Sequence, residues 1–268
     1  MGWKCGLHAD WTELTNCVDN VMDDAENNVA KRRYFYITIL RDPIERFVSE
    51  WRHVQRGATW RTARHWCGGR FPSPQELAPC YAGEDWKKVS LDDFLACKSN
   101  LALNRQTRML ADLSMVGCYN SSYMSEEDRN VVMLASAKEN LRRTAFFGVV
   151  EKQSDSQYLF ERTFNMTFKR SFLQLNATRS SNLLEVMDRT SVDKIRRKNH
   201  LDVQLYEYAL QLLAERFNKA KAMDPKFDVH YQQLNSFIWI PDEVEERMIQ
   251  RIMRQKEEDR AAWSFNDE

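Results

Sequence analysis

Residues 34–40, YFYITIL, are seven consecutive aromatic, β-branched or aliphatic positions without a charge. So short a run reads as a strand covered on both faces, the pattern of a central strand in a parallel sheet. Arg41-Asp42-Pro43 follows at once. Pro43 suits the first turn of a helix, where its missing N–H is no loss, and Asp42 suits the N-cap. Ile44, Phe47, Val48 and Trp51 then recur at three- and four-residue spacing, so a helix is expected to about Gln55, with Gly57 as its stop. A strand, a tight turn and a helix open a βα unit. The expected fold class is α/β, a central parallel sheet flanked by helices.

The rest of the chain fits that layout. Gly and Pro number 8 and 6 in 268 residues, too few turns for a many-stranded sandwich. Residues 57–90 read as one long irregular loop, which in a compact domain is usually functional. Helical periodicity is expected at 91–97, 100–112, 126–142, 154–164 and 191–219. AFFGVVE, 145–151, is a second buried strand, and 166–175 reads as a short strand followed by a loop. Residues 1–219 form the main domain, and 220–268 a charged helical extension with an amphipathic segment at 241–262. No apolar run reaches the roughly 18 to 20 residues that span a membrane.

All six cysteines (Cys5, Cys17, Cys67, Cys80, Cys97 and Cys118) fall in the first 118 residues, and none is spaced CxxC. That spacing argues against zinc ribbons and thioredoxin-type sites, and no metal is expected. An even number around a Gly/Pro-rich stretch predicts disulfides and an oxidising compartment, with Cys67–Cys80 as the expected staple. The sequons Asn120-Ser-Ser, Asn165-Met-Thr and Asn176-Ala-Thr point weakly the same way.

Lys plus Arg and Asp plus Glu are both 39, so net charge is zero and a globally basic nucleic-acid binder is excluded. Charge is nevertheless segregated. Between Lys31 and Arg70 lie ten basic residues and three acids, interleaved with His53, His65, Trp51, Trp60 and Trp66. Such a window suits an anionic ligand or polymer, the cations steering it and the indoles stacking on it. A solvated basic helix face is the bland alternative. Within the window, Arg41 stands at the carboxyl end of the first strand and Ser49 lies eight residues on, in the helix. Ligands of open α/β sheets bind off the carboxyl ends of strands, and an arginine there can grip a phosphate bidentately. An Arg41 paired with Asp42 or Glu45 is the equally weighted alternative.

YITILRDPIERFVSEWRHVQRGATW resembles the 3′-phosphate motif of sulfotransferases that use 3′-phosphoadenosine-5′-phosphosulfate. CGLHADWTEL, NRQTRMLADLSMVGCYN, AFFGVVE, QYLFERTFN and NATRS narrow the resemblance to the heparan sulfate 6-O-sulfotransferases, Golgi enzymes of animals, from about Trp3 to about Leu213. The resemblance implies a P-loop-like sulfotransferase fold and a type II membrane protein of the Golgi lumen. The implied reaction is sulfo transfer to the 6-hydroxyl of N-sulfoglucosamine in heparan sulfate. It implies that Arg41 and Ser49 hold the donor's 3′-phosphate. Phe172, Leu173, Gln174, Thr178 and Arg179 would belong to a loop closing over the nucleotide. His8 matches the catalytic base, and Trp3, His53 and Trp60 the acceptor contacts. The chemistry suits a histidine, because a sugar hydroxyl is a poor nucleophile and an imidazole of pKa about 6.5 can accept its proton.

One expected part is absent from this sequence. The family's first strand, its Lys-Thr-Gly-Gly-Thr type loop around the 5′-phosphosulfate and its upstream membrane anchor have no counterpart here. The expectation is therefore a chain that begins at an internal methionine of a longer, active protein and is inactive alone. The competing expectation is a non-catalytic homologue that binds sulfated glycans through the 31–70 window. A kinase-like nucleotide transferase is disfavoured, since neither GxxxxGK[ST] nor GxGxxG occurs.

Overall fold

The structure is a computed structural model that describes residues 4–5, 8–60, 63–168, 171–172 and 187–235 and the single positions 247, 250, 251 and 254. Helix α1 (Trp11–Glu26) precedes β1 (Ile37–Leu40) and α2 (Pro43–Gln55). Short helices α3 (Leu91–Ala96) and α4 (Arg105–Leu110) lead to the long α5 (Glu126–Arg143). Strand β2 (Phe146–Val149) is followed by α6 (Gln153–Phe164), α7 (Arg189–Lys198), α8 (His200–Ala222) and α9 (Phe227–Asn235).

The two strands run parallel, with Ile37 opposite Phe146 and Leu40 opposite Val149. The α/β arrangement expected from the βα signature is therefore present, as a small parallel sheet flanked by helices. All four residues of β2 are buried, as expected. β1 departs from the expectation of burial on both faces. Leu40 is buried, but Ile37 and Ile39 are 56% and 64% exposed. The physical reason is that, among the described residues, β1 has a strand neighbour on one edge only.

The core has two parts. Leu40, Phe147 and Val149 of the sheet pack with Leu141 of α5 and Leu205, Ala209 and Leu213 of α8. Ile44, Phe47, Val48 and Val54 on the inner face of α2 pack with Phe94, Leu95 and Ile195. Thus the apolar stripe of α2 faces inward and its polar stripe is left for the site. Gly57 ends the helix with φ +98°, and a Cβ there would meet the Lys87 side chain. At Gly148 α6 comes close to β2, where the Ser156 hydroxyl accepts from Val149 N–H at 2.9 Å.

Three expectations need correction. Cys67 pairs with Cys118 and Cys80 with Cys97, beside Cys5–Cys17, so the predicted Cys67–Cys80 staple does not form. Cys67 is instead drawn into the main core beside Leu113 and Val116. The helix expected at 100–112 shortens to α4, because Asn104 adopts the left-handed conformation (φ 47°) and starts the helix there. The helix expected at 191–219 is two helices broken at Asn199. Its buried amide accepts from Asn104 N–H at 3.1 Å, while Asn104 Oδ1 accepts from Leu201 N–H at 3.0 Å. The break thus exchanges helical continuity for a lock on α4. Half of the strand and loop expected at 166–175 lies outside the described residues, and the described half, 166–168 and 171–172, forms no strand; most of the 241–262 segment also lies outside them.

The end of α8 is fixed by Asp224, whose carboxylate accepts from the Tyr158 hydroxyl at 3.0 Å and meets His230 Nδ1 at 2.7 Å. The His230 bond holds the Asp224 carboxyl down at about 2. A depressed carboxyl adds stability that is complete above its unfolded value near 4 and disappears as pH falls toward 2. Asp224→Asn is therefore expected to lower the urea midpoint at pH 7, and the gap to the parent protein should close between about pH 4 and pH 2. A constant gap across that range would mean that the carboxylate contributes by shape alone.

Candidate functional site

The turn after β1 is fastened from both sides. Gln106 of α4 accepts from Arg41 N–H and donates to Arg41 C=O, both at 2.9 Å, so one side-chain amide stands in for a neighbouring strand. Asp42 caps α2 by accepting from Ile44 and Glu45 N–H at 2.9 and 3.0 Å, and its own N–H donates to Glu151 at 3.0 Å. Tyr206 donates to the other oxygen of Glu151 at 2.8 Å, and burial followed by that bond pushes the phenol well above its usual range.

Arg41 points along α2, with Nη2 2.9 Å from Glu45 Oε2. The ion pair offered by the sequence as an alternative to phosphate binding is thus formed with Glu45. Ser49 lies half-buried on α2, one turn beyond Glu45. A cleft of about 330 Å³ runs beside β1, lined by Tyr36 to Arg41 and by Arg46, Arg105, Gln106 and Met109. Its wall is the apolar flank of the strand and its rim carries three arginines.

Two of those arginines share one carboxylate. Arg46 Nη1 lies 2.5 Å from one oxygen of Glu50 and Arg105 Nη1 lies 3.0 Å from the other. Arg46 Nε also sits 3.6 Å from Asp202. Thus held, the Arg105 guanidinium lies over the Trp60 indole, 4.4 Å from its centroid. The His8 ring meets Trp60 edge to face at 5.0 Å, and the His53 ring lies 6.4 Å away. His8 and His53 are both exposed.

The structure thus brings together three of the residues singled out from sequence, His8, His53 and Trp60. Two of them come from segments some fifty residues apart. Phe172 makes its contacts elsewhere: its N–H donates to the buried Gln157 at 2.6 Å and its ring packs on Phe168. Trp3, Leu173, Gln174, Thr178 and Arg179 lie outside the described residues. Sequence reasoning missed Arg46, Glu50 and Arg105. The spacing of Arg46 and Glu50 was a readable helical pair, but nothing local ties Arg105 to Trp60. Among the described residues, no cluster of His, Cys, Asp or Glu has the makings of a metal site.

Residues 11–209 match the sulfotransferase family. The chain belongs to that family. It is 56% identical over 216 residues to heparan-sulfate 6-O-sulfotransferase 3-B of Danio rerio, covering 81% of this chain and 51% of that protein. It is 53% identical over 225 residues to heparan-sulfate 6-O-sulfotransferase 1 of Homo sapiens, covering 83% of this chain and 54% of the relative. For human heparan-sulfate 6-O-sulfotransferase 3 the figures are 53% over 230 residues, 85% and 48%. The motif resemblance to the heparan sulfate 6-O-sulfotransferases therefore extends over most of this sulfotransferase chain. The chain spans about half the length of the curated relatives it matches.

Glu50 is the pivot of this arrangement, buried between two cations. Glu50→Gln keeps its shape and removes its charge, leaving Arg46 and Arg105 partly uncompensated, which costs about 3 kcal/mol. A fall in unfolding free energy of that size by urea titration is expected. A change below about 0.5 kcal/mol would show that solvent already neutralises the pair.

Proposed function

We propose that the protein of which this chain is part transfers a sulfo group from 3′-phosphoadenosine-5′-phosphosulfate to the 6-hydroxyl of N-sulfoglucosamine in heparan sulfate. The observation that carries this reading is the contact of His8 with Trp60, beside the helix that springs from the carboxyl end of β1. A base exposed to solvent and a flat indole in contact with it are what a sugar hydroxyl needs: a face to stack on and an acceptor for its proton.

In this reading Arg41, just before α2, and Ser49, at mid-helix, hold the donor's 3′-phosphate, with Phe172, Leu173, Gln174, Thr178 and Arg179 closing over the nucleotide. Trp60, His53 and Trp3 hold the acceptor, and Arg105 fixes the indole against which the sugar lies. The sugar oxygen attacks sulfur as His8 takes its proton. The bond from sulfur to the bridging oxygen breaks, and adenosine 3′,5′-bisphosphate leaves with the electron pair. Charge that builds on that oxygen needs donors fixed in advance. The three disulfides agree with a lumenal, oxidising site of action, and we infer the Golgi lumen.

His8→Ala in the full-length protein is expected to lower kcat at least about 100-fold while leaving the affinity for adenosine 3′,5′-bisphosphate unchanged. Retained turnover would assign the proton to another base. Arg41→Ala is expected to weaken binding of the same nucleotide about 10- to 100-fold by calorimetry, with an unchanged Tm, since the Arg41 backbone is held by Gln106. Unaltered affinity would remove Arg41 from the donor site.

A further inference from the structure

Helix α4 separates two clefts. Arg105 and Gln106 line the one beside β1, and Arg108, one turn on, lines a second and larger one of about 770 Å³. Five cations line this second cleft: Lys98, Arg108, Arg129, Arg197 and Lys198. Its two carboxylates do not balance them. Glu76 is already engaged by both terminal nitrogens of Arg70, at 2.6 and 2.7 Å, and Glu126 stands exposed in the first turn of α5.

The contrast with the first cleft is chemical. There Arg41, Arg46 and Arg105 each have a carboxylate partner. In the second cleft, among the described residues, none of the five cations is ion-paired. Arg108 is only 8% exposed, donates to Leu101 C=O at 3.2 Å, and its buried Nε has no hydrogen-bond partner. Arg129 donates to the carbonyls of Val116 and Cys118. Carbonyls orient these guanidinium groups without neutralising them; the buried Asp10 carboxylate acts on Arg108 only through space, with no ion pair formed, and a buried cation so weakly matched is costly. The two titratable rings beside Arg108 supply no negative charge. His65 is pushed down to about 4 by burial and then by Arg108 and Arg105, and Tyr119 is pushed up to about 12 by burial, so both are neutral at pH 7 and offset nothing.

We propose that this cleft is a second anion-binding site, which takes sulfated saccharide units of the acceptor chain at a distance from the reacting one. The inference rests on the function proposed above. The cleft favours a sulfated sugar over a nucleic acid because its walls carry amides and hydroxyls (Gln75, Asn104, Asn130, Ser99, Ser121) that suit a polyol. Of the two rings in its lining, Tyr119 is 8% exposed and only the small His200 imidazole stands open, so bases find little to stack on. The two clefts lie about one helix diameter apart, ~10 Å. A polymer that crosses α4 can therefore occupy both, and the second site adds to the first through effective concentration.

The test uses Arg197→Ser/Lys198→Ser, two exposed cations whose loss leaves no buried group unpaired, with Arg142→Ser/Arg143→Ser on α5 as a control of equal charge change. Binding of a heparin dodecasaccharide is measured against salt concentration. The cleft variant is expected to bind about five- to tenfold more weakly, with a shallower salt dependence, and the control to match the parent. Equal loss in both variants, or none in the cleft variant, overturns the site while leaving the proposed function standing. Failure of the parent to bind any sulfated oligosaccharide overturns both. Displacement by single-stranded DNA of equal charge as readily as by heparin overturns the saccharide assignment.

Discussion

Asp202 has no exposed surface, yet it carries a carboxylate into the centre of the protein. A buried carboxylate is tolerated when donors surround it. Here the N–H groups of Gln106 and Thr107 donate at 3.1 and 2.8 Å, the Thr107 hydroxyl at 2.8 Å, and Arg46 lies at 3.6 Å. One side chain thereby joins α8, the start of α4 and the polar face of α2. Because α4 is set by this bond, Gln106 can brace the turn after β1 and Arg105 can reach Trp60. The aromatic and histidine cluster therefore depends on an acid that never touches it.

How far this was legible in the sequence depended on the range of the forces involved. The strand, the Asp42 cap, Pro43 and the stripe on α2 are set by neighbours a few residues away, and the element from Ile37 to Gln55 could be read directly. The break at Asn199 could not, because the apolar period runs on past it and the cause is an amide pairing with Asn104, 95 residues distant. The Cys67–Cys118 pairing escaped for the same reason. Cys80 was nearer in sequence, but Cys118 is brought to Cys67 by a core that no local pattern reveals. The exposure of β1 was misread because composition reports what a strand is suited to lie beneath, and not which neighbour lies there.

At the site the same division holds. His8, His53 and Trp60 were named from a motif resemblance, and geometry unites them. Arg105 carries no mark in its own segment that it clamps an indole. What the structure adds is the state of the cations. Those near the cluster are bound to Glu45 and Glu50, so their charge is modulated from within, whereas those beyond α4 form no ion pair among the described residues.

The outer edge of β1 bears on how this chain behaves as a substance. Ile37 and Ile39 stand exposed on a short, uncharged strand that, among the described residues, is hydrogen-bonded to a strand on one side only. No lysine, proline or bulge interrupts Ile37 to Leu40 to discourage pairing with a foreign strand. Such an edge is a template. Left bare at high concentration, it invites its own counterpart from another copy, a hazard that balanced net charge does nothing to prevent.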